Sequence, residues 1–326
     1  MNEPPGVPEP MTTKPTQSAP PSRIIEPSGQ KTWTVRGVLE WTTDFFRQHE
    51  LASARLDAEV LLAHVLGKDR LALYLRYEDV VPPEALQAYR ELIRRRLKRE
   101  PVAYLTGVRE FYGISFSLDP SVLIPRPETE HLVEYVLRYV EGNPGLIEED
   151  ALRLLEIGTG CGNLCISLAE RLPRARIVSV DISSAAIAAA ARNVRAHPAS
   201  QERIRLVQGD LLEGLDPQRA RFHLIVSNPP YVATESWQDL PPEVRNFEPR
   251  IALDGGRRGT EILEKLVKGS ARHLLPGGAL VLEIGETQAE ELLGVVEHTG
   301  AYRQARILED YAGKPRVLVA TAKERV

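Results

Sequence analysis

The tetrapeptide Asn228-Pro229-Pro230-Tyr231 ends the apolar run FHLIVS and carries more chemical meaning than any other stretch of this sequence. Two prolines impose a rigid, extended turn with few backbone donors. A polar Asn at its head is then held at the mouth of whatever cleft the strand opens into. An Asn side-chain oxygen can accept one N–H hydrogen bond, and the Pro229 carbonyl can accept another. That pair of acceptors suits a planar amide or aromatic amine. The lone pair of such a nitrogen is delocalised, so it is a poor nucleophile until both its hydrogens are held and its geometry is pushed toward pyramidal. Tyr231 can lie against the flat group and fix its plane. Positioning of this kind can supply up to roughly 7–11 kcal/mol.

A second constellation supplies the partner for such a nitrogen. Residues 154–164 read LLEIGTGCGNL, with Gly158, Gly160 and Gly162 at spacing two. Glycines between a strand and a helix let backbone N–H groups approach a ligand closely. A dinucleotide fingerprint needs G-x-G-x-x-G, but here the third glycine falls one residue early and Asn163 takes its place. No Gly-Lys-Ser/Thr follows, so the phosphate-binding loop of nucleotide hydrolases is absent. Asp181 lies 19 residues after Gly162, at the end of the next strand, where a carboxylate can hold ribose hydroxyls. Asp210 ends a third strand in QGD, placed to touch an adenine amino group. The set favours S-adenosylmethionine over NAD. Ordinary capping of the next turn is the competing role for both aspartates. Cys161 and Cys165 lie four apart, yet no His or Cys pair supplies further ligands, so no metal is expected and both read as small buried side chains.

The elements that must position these groups follow from the pattern. Strands are expected at Leu152–Ile157, 176–181, Ile204–Gln208, Phe222–Ser227, 278–284, 304–308 and 316–320. Helices are expected at 163–172, 183–197, 260–273 and 287–299. Strand alternating with helix implies a largely parallel sheet covered on both faces, hence an α/β domain over 127–326. Residues 101–126 read as a β-hairpin linker around Gly113. IPRPETE, at 124–130, starts a helix with Pro127 where a missing N–H is harmless. Residues 31–100 read as a small helical domain, with Leu56, Val60, Ala63 and Leu66 on one face of a helix and Gly67 as its C-cap. Its last helix ends in RRRLKRE at 94–100, which is either a solvated, dipole-favoured terminus or a docking surface for an acidic or RNA-bearing partner. Residues 1–30 contain eight prolines and almost no large apolar side chains, which reads as a disordered tail and neither a secretory nor an organellar signal.

Composition sets the outer bounds. The chain has 326 residues with 41 Lys plus Arg and 45 Asp plus Glu, a net charge of −4. Two domains fit that length. Mild acidity disfavours a stable nucleic-acid complex. Two cysteines fit a reducing, cytoplasmic setting, and no apolar run is long enough to span a bilayer.

With EIGTGCG, the strand-end Asp181 and SNPPY in this order, the chain resembles class I S-adenosylmethionine-dependent methyltransferases that act on planar nitrogens. More closely, it resembles the peptide chain release factor glutamine methyltransferase family. The helical N-terminal domain, EFYGISF at 110–116, IPRPETE at 124–130 and FEPRIALDGG at 247–256 carry that match, which covers all but the tail. The resemblance implies a seven-stranded methyltransferase sheet with a helical N-terminal domain and a hairpin linker; that helical domain is expected to dock the substrate, because it precedes the linker and carries the Arg94–Arg99 run. The resemblance also implies methylation of the side-chain amide nitrogen of the glutamine in the Gly-Gly-Gln motif of release factors, leaving S-adenosylhomocysteine. It places Gly158, Thr159, Gly160, Cys161 and Gly162 along the methionine part of the cofactor, with Glu156 supporting the loop. Asp181 would hold the ribose, and Asp210 and Leu211 would frame the adenine. Asn228, Pro229, Pro230 and Tyr231 would hold the glutamine amide, with Arg126 shaping the site. Leu211 stands where some members have an aromatic residue, and the tail is not part of the family pattern.

A sister enzyme acting on a glutamine of a large-subunit ribosomal protein shares the fold and the tetrapeptide, but the intact PRPETE run favours the release-factor branch. A nucleic-acid amino-group methyltransferase would usually need a basic recognition domain. Only 326 − 231 = 95 residues follow Tyr231, and the closing strands and helices use them. A module that binds cofactor without catalysis would not need Asn228.

Overall fold

A computed structural model describes residues 32–143 and 151–323. The proline-rich segment 1–30 lies outside the described residues. The chain divides into two compact units, one ending at Ile93 and the other beginning at Arg94.

The first unit is helical: α1 Val35–Gln48, α2 Ala54–Leu66, α3 Arg70–Leu75 and most of α4 Pro83–Leu97. The Thr34 hydroxyl accepts from the Gly37 N–H at 3.2 Å and caps α1. Gly67 closes α2 in the left-handed region at φ 60°, as its position predicts. The buried face of α2 differs from the expected one. Leu56 is 45% exposed, while Ala54, Ala58, Leu61 and Leu62 are buried together with Asp57 and Glu59. Glu59 explains the rotation. Its carboxylate accepts from Arg55 at 2.5 Å, from Arg70 at 2.6 Å and from the Tyr74 hydroxyl, so a buried charge is fully satisfied. Apolar periodicity alone does not reveal such a hub.

The second unit opens with the end of α4 and α5 Val102–Thr106. Strands β1 Val108–Phe111 and β2 Ile114–Ser117 form the expected hairpin, turned through Tyr112 and Gly113 at φ 52° and 74°. The hairpin is more than a linker. Phe111 and Phe116 are buried in the same core as α6 Glu130–Glu141 and α7 Asn163–Arg171. A one-turn 3₁₀ segment, Pro127–Thr129, leads into α6.

The remaining elements are β3 Leu152–Ile157, β4 Ala175–Asp181, α8 Ser184–Ala196, α9 Pro198–Gln201, β5 Ile204–Gln208, β6 Phe222–Ser227, α10 Pro242–Phe247, α11 Glu261–Ser270, β7 Leu274–Glu283, α12 Ala289–Thr299, β8 Tyr302–Glu309 and β9 Pro315–Ala322. The seven-stranded sheet runs in the order β5-β4-β3-β6-β7-β9-β8. β3 to β7 run parallel to one another, β9 pairs antiparallel with β7, and β8 pairs antiparallel with β9. This is the expected α/β class, with a seven-stranded, mostly parallel methyltransferase-like sheet. Apolar side chains alternate between two cores. Leu154, Leu224 and Val226 face α6 to α8, whereas Leu155, Ile225 and Leu280 face α11 and α12. Both faces are covered, which is why every residue of β6 is buried.

From β3 the chain progresses outward through β4 to β5, then returns to place β6 on the other side of β3. A ligand crevice is expected at the carboxyl ends of the strands where the order reverses. The glycine loop follows β3 and the Asn-Pro-Pro-Tyr turn follows β6, so the two sequence motifs meet there. No described helix is long and apolar enough to cross a membrane.

Candidate active site

A cavity of about 510 Å³ opens at this point, within the size range of small-molecule sites. Its walls contain Gly158, Gly160, Asp181, Asp210, Leu211, Asn228, Pro229, Pro230 and Arg126, nine of the residues singled out by sequence. Glu156, Thr159, Cys161, Gly162 and Tyr231 do not line it, and each has a different place.

The glycine loop is built on backbone conformations that side chains disfavour. Gly158, Gly160 and Gly162 have φ of 83°, 54° and 86°. A Cβ on Gly160 would meet nothing within 4 Å, so this residue is bare toward open space. A Cβ on Gly162 would press Ile166 and Ala190 at 3.2 and 3.4 Å, so this glycine allows α7 and α8 to pack. Asp181 braces the loop: one carboxylate oxygen accepts from the Gly160 N–H at 3.0 Å and the other from the Ser183 N–H at 2.9 Å. Burial raises its pKa, and those N–H groups oppose the shift. A carboxylate has about four acceptor sites, so room is left for a ligand hydroxyl.

Glu156 lies beneath the loop. It is 2% exposed, and burial pushes its carboxyl up to about 8. The Ser179 hydroxyl donates to it at 2.5 Å and sits 2.6 Å from the Thr159 hydroxyl. Glu156 and Thr159 therefore support the loop from behind. Burial pushes the Cys161 thiol up to about 12 and the Cys165 thiol well above its ordinary range, so neither is a thiolate near neutral pH. Asn193 on α8 donates to the Cys161 carbonyl at 2.9 Å and to the Ser117 carbonyl at 3.0 Å, joining the loop to the hairpin. Also in the cavity wall, Leu211 holds a left-handed φ of 49° next to Asp210.

Beside the loop, the Ser227 hydroxyl donates to the Ile157 carbonyl at 2.7 Å and aligns the ends of β6 and β3. Asn228 donates through Nδ2 to the Thr129 hydroxyl at 2.9 Å, which leaves its Oδ1 as an acceptor. Tyr231 instead packs toward the core under α11 and α12, with its hydroxyl donating to buried Glu283 at 3.1 Å. Burial, with Glu283 beside it, raises the Tyr231 pKa. Arg126 is held by Glu248, whose two oxygens accept from its guanidinium at 2.6 Å and from the Ile124 N–H at 3.2 Å.

Several residues that sequence reading missed hold the tetrapeptide in place. Val232 donates to the Leu253 carbonyl and Gly255 to the Val232 carbonyl, both at 2.9 Å. A Cβ on Gly255 would stand 2.7 Å from the Pro230 carbonyl oxygen and 2.8 Å from the Tyr231 Cα. Gln288 donates to the carbonyls of Tyr231 and Gly259 at 3.0 and 3.1 Å. The Asp-Gly-Gly run at 254–256 was the visible signal, because adjacent glycines mark close backbone approach. Gln288 carried no signal.

The basic run at 94–100 is largely engaged. Arg95 pairs with Glu100, and Arg96 and Arg99 pair with Glu243. Among the described residues no cluster of three or more His, Cys, Asp or Glu could hold a metal.

The arrangement offers a glycine-bare wall, two carboxylates, and the Asn228 side chain held by Thr129 with its carbonyl oxygen left to accept. The "PrmC N-terminal domain" model matches residues 37–107, and the "Methyltransferase small domain" model matches 145–240. A release factor glutamine methyltransferase of Rhodopirellula baltica is 43% identical over 295 residues, covering 90% of this chain and 98% of its own. One from Geobacter sulfurreducens is 44% identical over 268 residues, covering 82% and 90%. Among solved structures, the hMettl16 catalytic domain bound to an RNA hairpin matches with a TM-score of 0.52 at 17% identity, covering 69% of this chain and 81% of that one. That last likeness concerns the fold alone.

Proposed function

This chain belongs to the release factor glutamine methyltransferase family, and from that premise we infer that it methylates the side-chain amide nitrogen of the glutamine in the Gly-Gly-Gln motif of peptide chain release factors. The methyl donor is S-adenosylmethionine. The observation that carries this reading is Asn228: its Nδ2 is engaged by Thr129, so its Oδ1 is left to receive an N–H in the cavity that Gly158 and Gly160 also line.

The residues fit the cofactor. Gly158 and Gly160 would admit its methionine part, Asp181 its ribose, and Asp210 with Leu211 its adenine. Glu156, Thr159, Cys161 and Gly162 would act on it only through the loop they support or form. When bound, the cofactor supplies an electrophilic sulfonium methyl. The chain's own residues do the rest. Asn228 Oδ1 and the Pro229 carbonyl accept the two amide hydrogens and hold the nitrogen in line. The paired prolines keep these acceptors still, so no reorganisation is needed as charge develops on the nitrogen. Tyr231 fixes the far end of the tetrapeptide. Arg126, anchored on Glu248, shapes the rim. Residues 31–100 dock the release factor, and the partner is a protein rather than a nucleic acid or a membrane.

The test is transfer of labelled methyl from S-adenosylmethionine to purified release factor, large-subunit ribosomal protein or RNA, each offered alone. Label on release factor is the expected result. Label on ribosomal protein or RNA alone overturns the assignment.

A further inference from the structure

Tyr231 ends the tetrapeptide and lines no part of the cavity, yet its place decides where Pro229 and Pro230 stand. Each proline ring locks its own φ, and the residue before a proline is restricted as well, so the turn has little slack to absorb a shift at Tyr231. Beyond Tyr231 the main chain runs beside residues 253–256. The Val232 N–H donates to the Leu253 carbonyl, the Gly255 N–H to the Val232 carbonyl and the Thr234 N–H to the Gly256 carbonyl, each at 2.9 Å. Pairing of this kind engages alternate residues, so the Tyr231 carbonyl falls on the other side of the segment. Among the described residues no main-chain N–H donates to it.

Gln288, the buried residue that precedes α12, supplies the missing donor. Its Oε1 accepts from the Gly285 N–H at 2.9 Å, and its Nε2 donates to the Tyr231 carbonyl at 3.0 Å and to the Gly259 carbonyl at 3.1 Å. The amide has only this orientation, because turning it over would set the NH2 group against an N–H and the oxygen against two carbonyls. The three groups meet too closely for a further side chain: a Cβ on Gly259 would lie 2.5 Å from the Tyr231 carbonyl oxygen and 3.1 Å from Gln288 Nε2. The Tyr231 hydroxyl meanwhile donates to Glu283, the last residue of β7, at 3.1 Å. One stretch, 283–288, therefore grips Tyr231 by its side chain and by its main chain. We propose that Gln288 is a positioning residue that, through the Tyr231 carbonyl, holds the two prolines and the acceptors at Asn228 and Pro229 in register with the cofactor, although it lines no part of the cavity itself.

The inference rests on the amide-acceptor reading above, and its test uses the full chain. Gln288→Glu keeps the oxygen that faces the Gly285 N–H but turns the donor into a second oxygen against two carbonyls. Burial raises the pKa of such a carboxyl, and once protonated it donates to one of the two carbonyls again. The kcat, the KM for release factor and the S-adenosylmethionine Kd are measured for wild type, Gln288→Ala and Gln288→Glu from about pH 6 to about pH 9. At the alkaline end both variants are expected to lower kcat about 10- to 100-fold, with KM and Kd unchanged. As pH falls, the ratio of Gln288→Glu to wild-type kcat is expected to climb several-fold, while the Gln288→Ala ratio stays flat. Loss of packing alone would move neither ratio with pH, and the Gln288→Glu arm stands by itself should Gln288→Ala fail to fold. Wild-type kcat in Gln288→Ala, or a Gln288→Glu ratio that does not change with pH, overturns the grip. The tetrapeptide holds whatever planar nitrogen it is offered, so label on ribosomal protein or RNA in place of release factor would sink the functional reading, and the same ratios measured with that acceptor would still decide the role of Gln288.

Discussion

Replacing Gly255 by Ala is the sharpest perturbation of the clamp that holds the tetrapeptide. The added Cβ would lie 2.6 Å from the Gly259 carbonyl oxygen, 2.7 Å from the Pro230 carbonyl oxygen and 2.8 Å from the Tyr231 Cα, whereas ordinary contact begins at 3.4 Å. Relief therefore needs 3.4 − 2.8 = 0.6 Å to 3.4 − 2.6 = 0.8 Å of movement, and every atom in the way is backbone. Gly255 cannot simply retreat, since its N–H donates to the Val232 carbonyl while Val232 donates to Leu253. Overpacking of this kind costs about 1–3 kcal/mol. At about 2–4 °C per kcal/mol for a unit of this size, Tm falls by about 2–12 °C. Movement of the tetrapeptide by a large fraction of an ångström lowers kcat by about 100-fold. The glycine loop is not touched, so S-adenosylmethionine should bind as before. Calorimetry for Kd, steady-state methylation for kcat and scanning calorimetry for Tm separate these effects. Gly160→Ala is the contrast: its Cβ meets nothing, but it would stand in the cofactor space and weaken Kd. Wild-type kcat and Tm in Gly255→Ala would refute the clamp.

Three further outcomes are expected. Asp181→Ala removes a carboxylate that braces Gly160 and faces the cavity, and should weaken S-adenosylmethionine about 10- to 100-fold by calorimetry, as loss of charge-assisted hydrogen bonds implies; an unchanged Kd contradicts its role. Glu156 keeps a proton up to about 8 when folded, whereas the unfolded chain releases it near 4.5. Its contribution is thus whole below the unfolded pKa, falls as pH rises through the window and levels off above about 8, so Glu156→Gln should flatten the decline of Tm between about pH 5 and 8, and an equally steep decline in the variant counts against it. Arg94→Glu with Lys98→Glu reverses two exposed members of the basic run while leaving the pairs of Arg95, Arg96 and Arg99 intact. If the helical region docks release factor, KM should rise several-fold with kcat unchanged, and an unmoved KM argues against docking there.

Much of the sheet was legible because its central strands are buried on both faces. Continuous apolar runs such as FHLIVS have little choice of structure, and the motifs at their ends fall where the strand order reverses. Leu152–Ile157, Ile204–Gln208 and Phe222–Ser227 agree with the expected bounds residue for residue. Three things were hidden. The phase of α2 depends on Glu59 and its donors, which lie up to 15 residues away. The segment after Tyr231 works through backbone contacts at Gly255 and through one side chain at Gln288, and neither leaves a periodic trace. Tyr231 was expected against the substrate plane, yet a buried carboxyl 52 residues later draws its hydroxyl into the core. A partner that distant in sequence is invisible to local pattern.

The central claim is that Asn228 presents an acceptor to a glutamine amide in a release factor. It is tested most directly by incubating wild type and Asn228→Ala with S-adenosylmethionine and purified release factor, then mapping the methyl by fragmentation mass spectrometry. The account predicts one methyl on the side-chain nitrogen of the Gly-Gly-Gln glutamine with wild type. With Asn228→Ala it predicts transfer slower by about 100-fold or more, while calorimetry still shows S-adenosylmethionine bound. A methyl on any other residue, or transfer by Asn228→Ala at the wild-type rate, would contradict it.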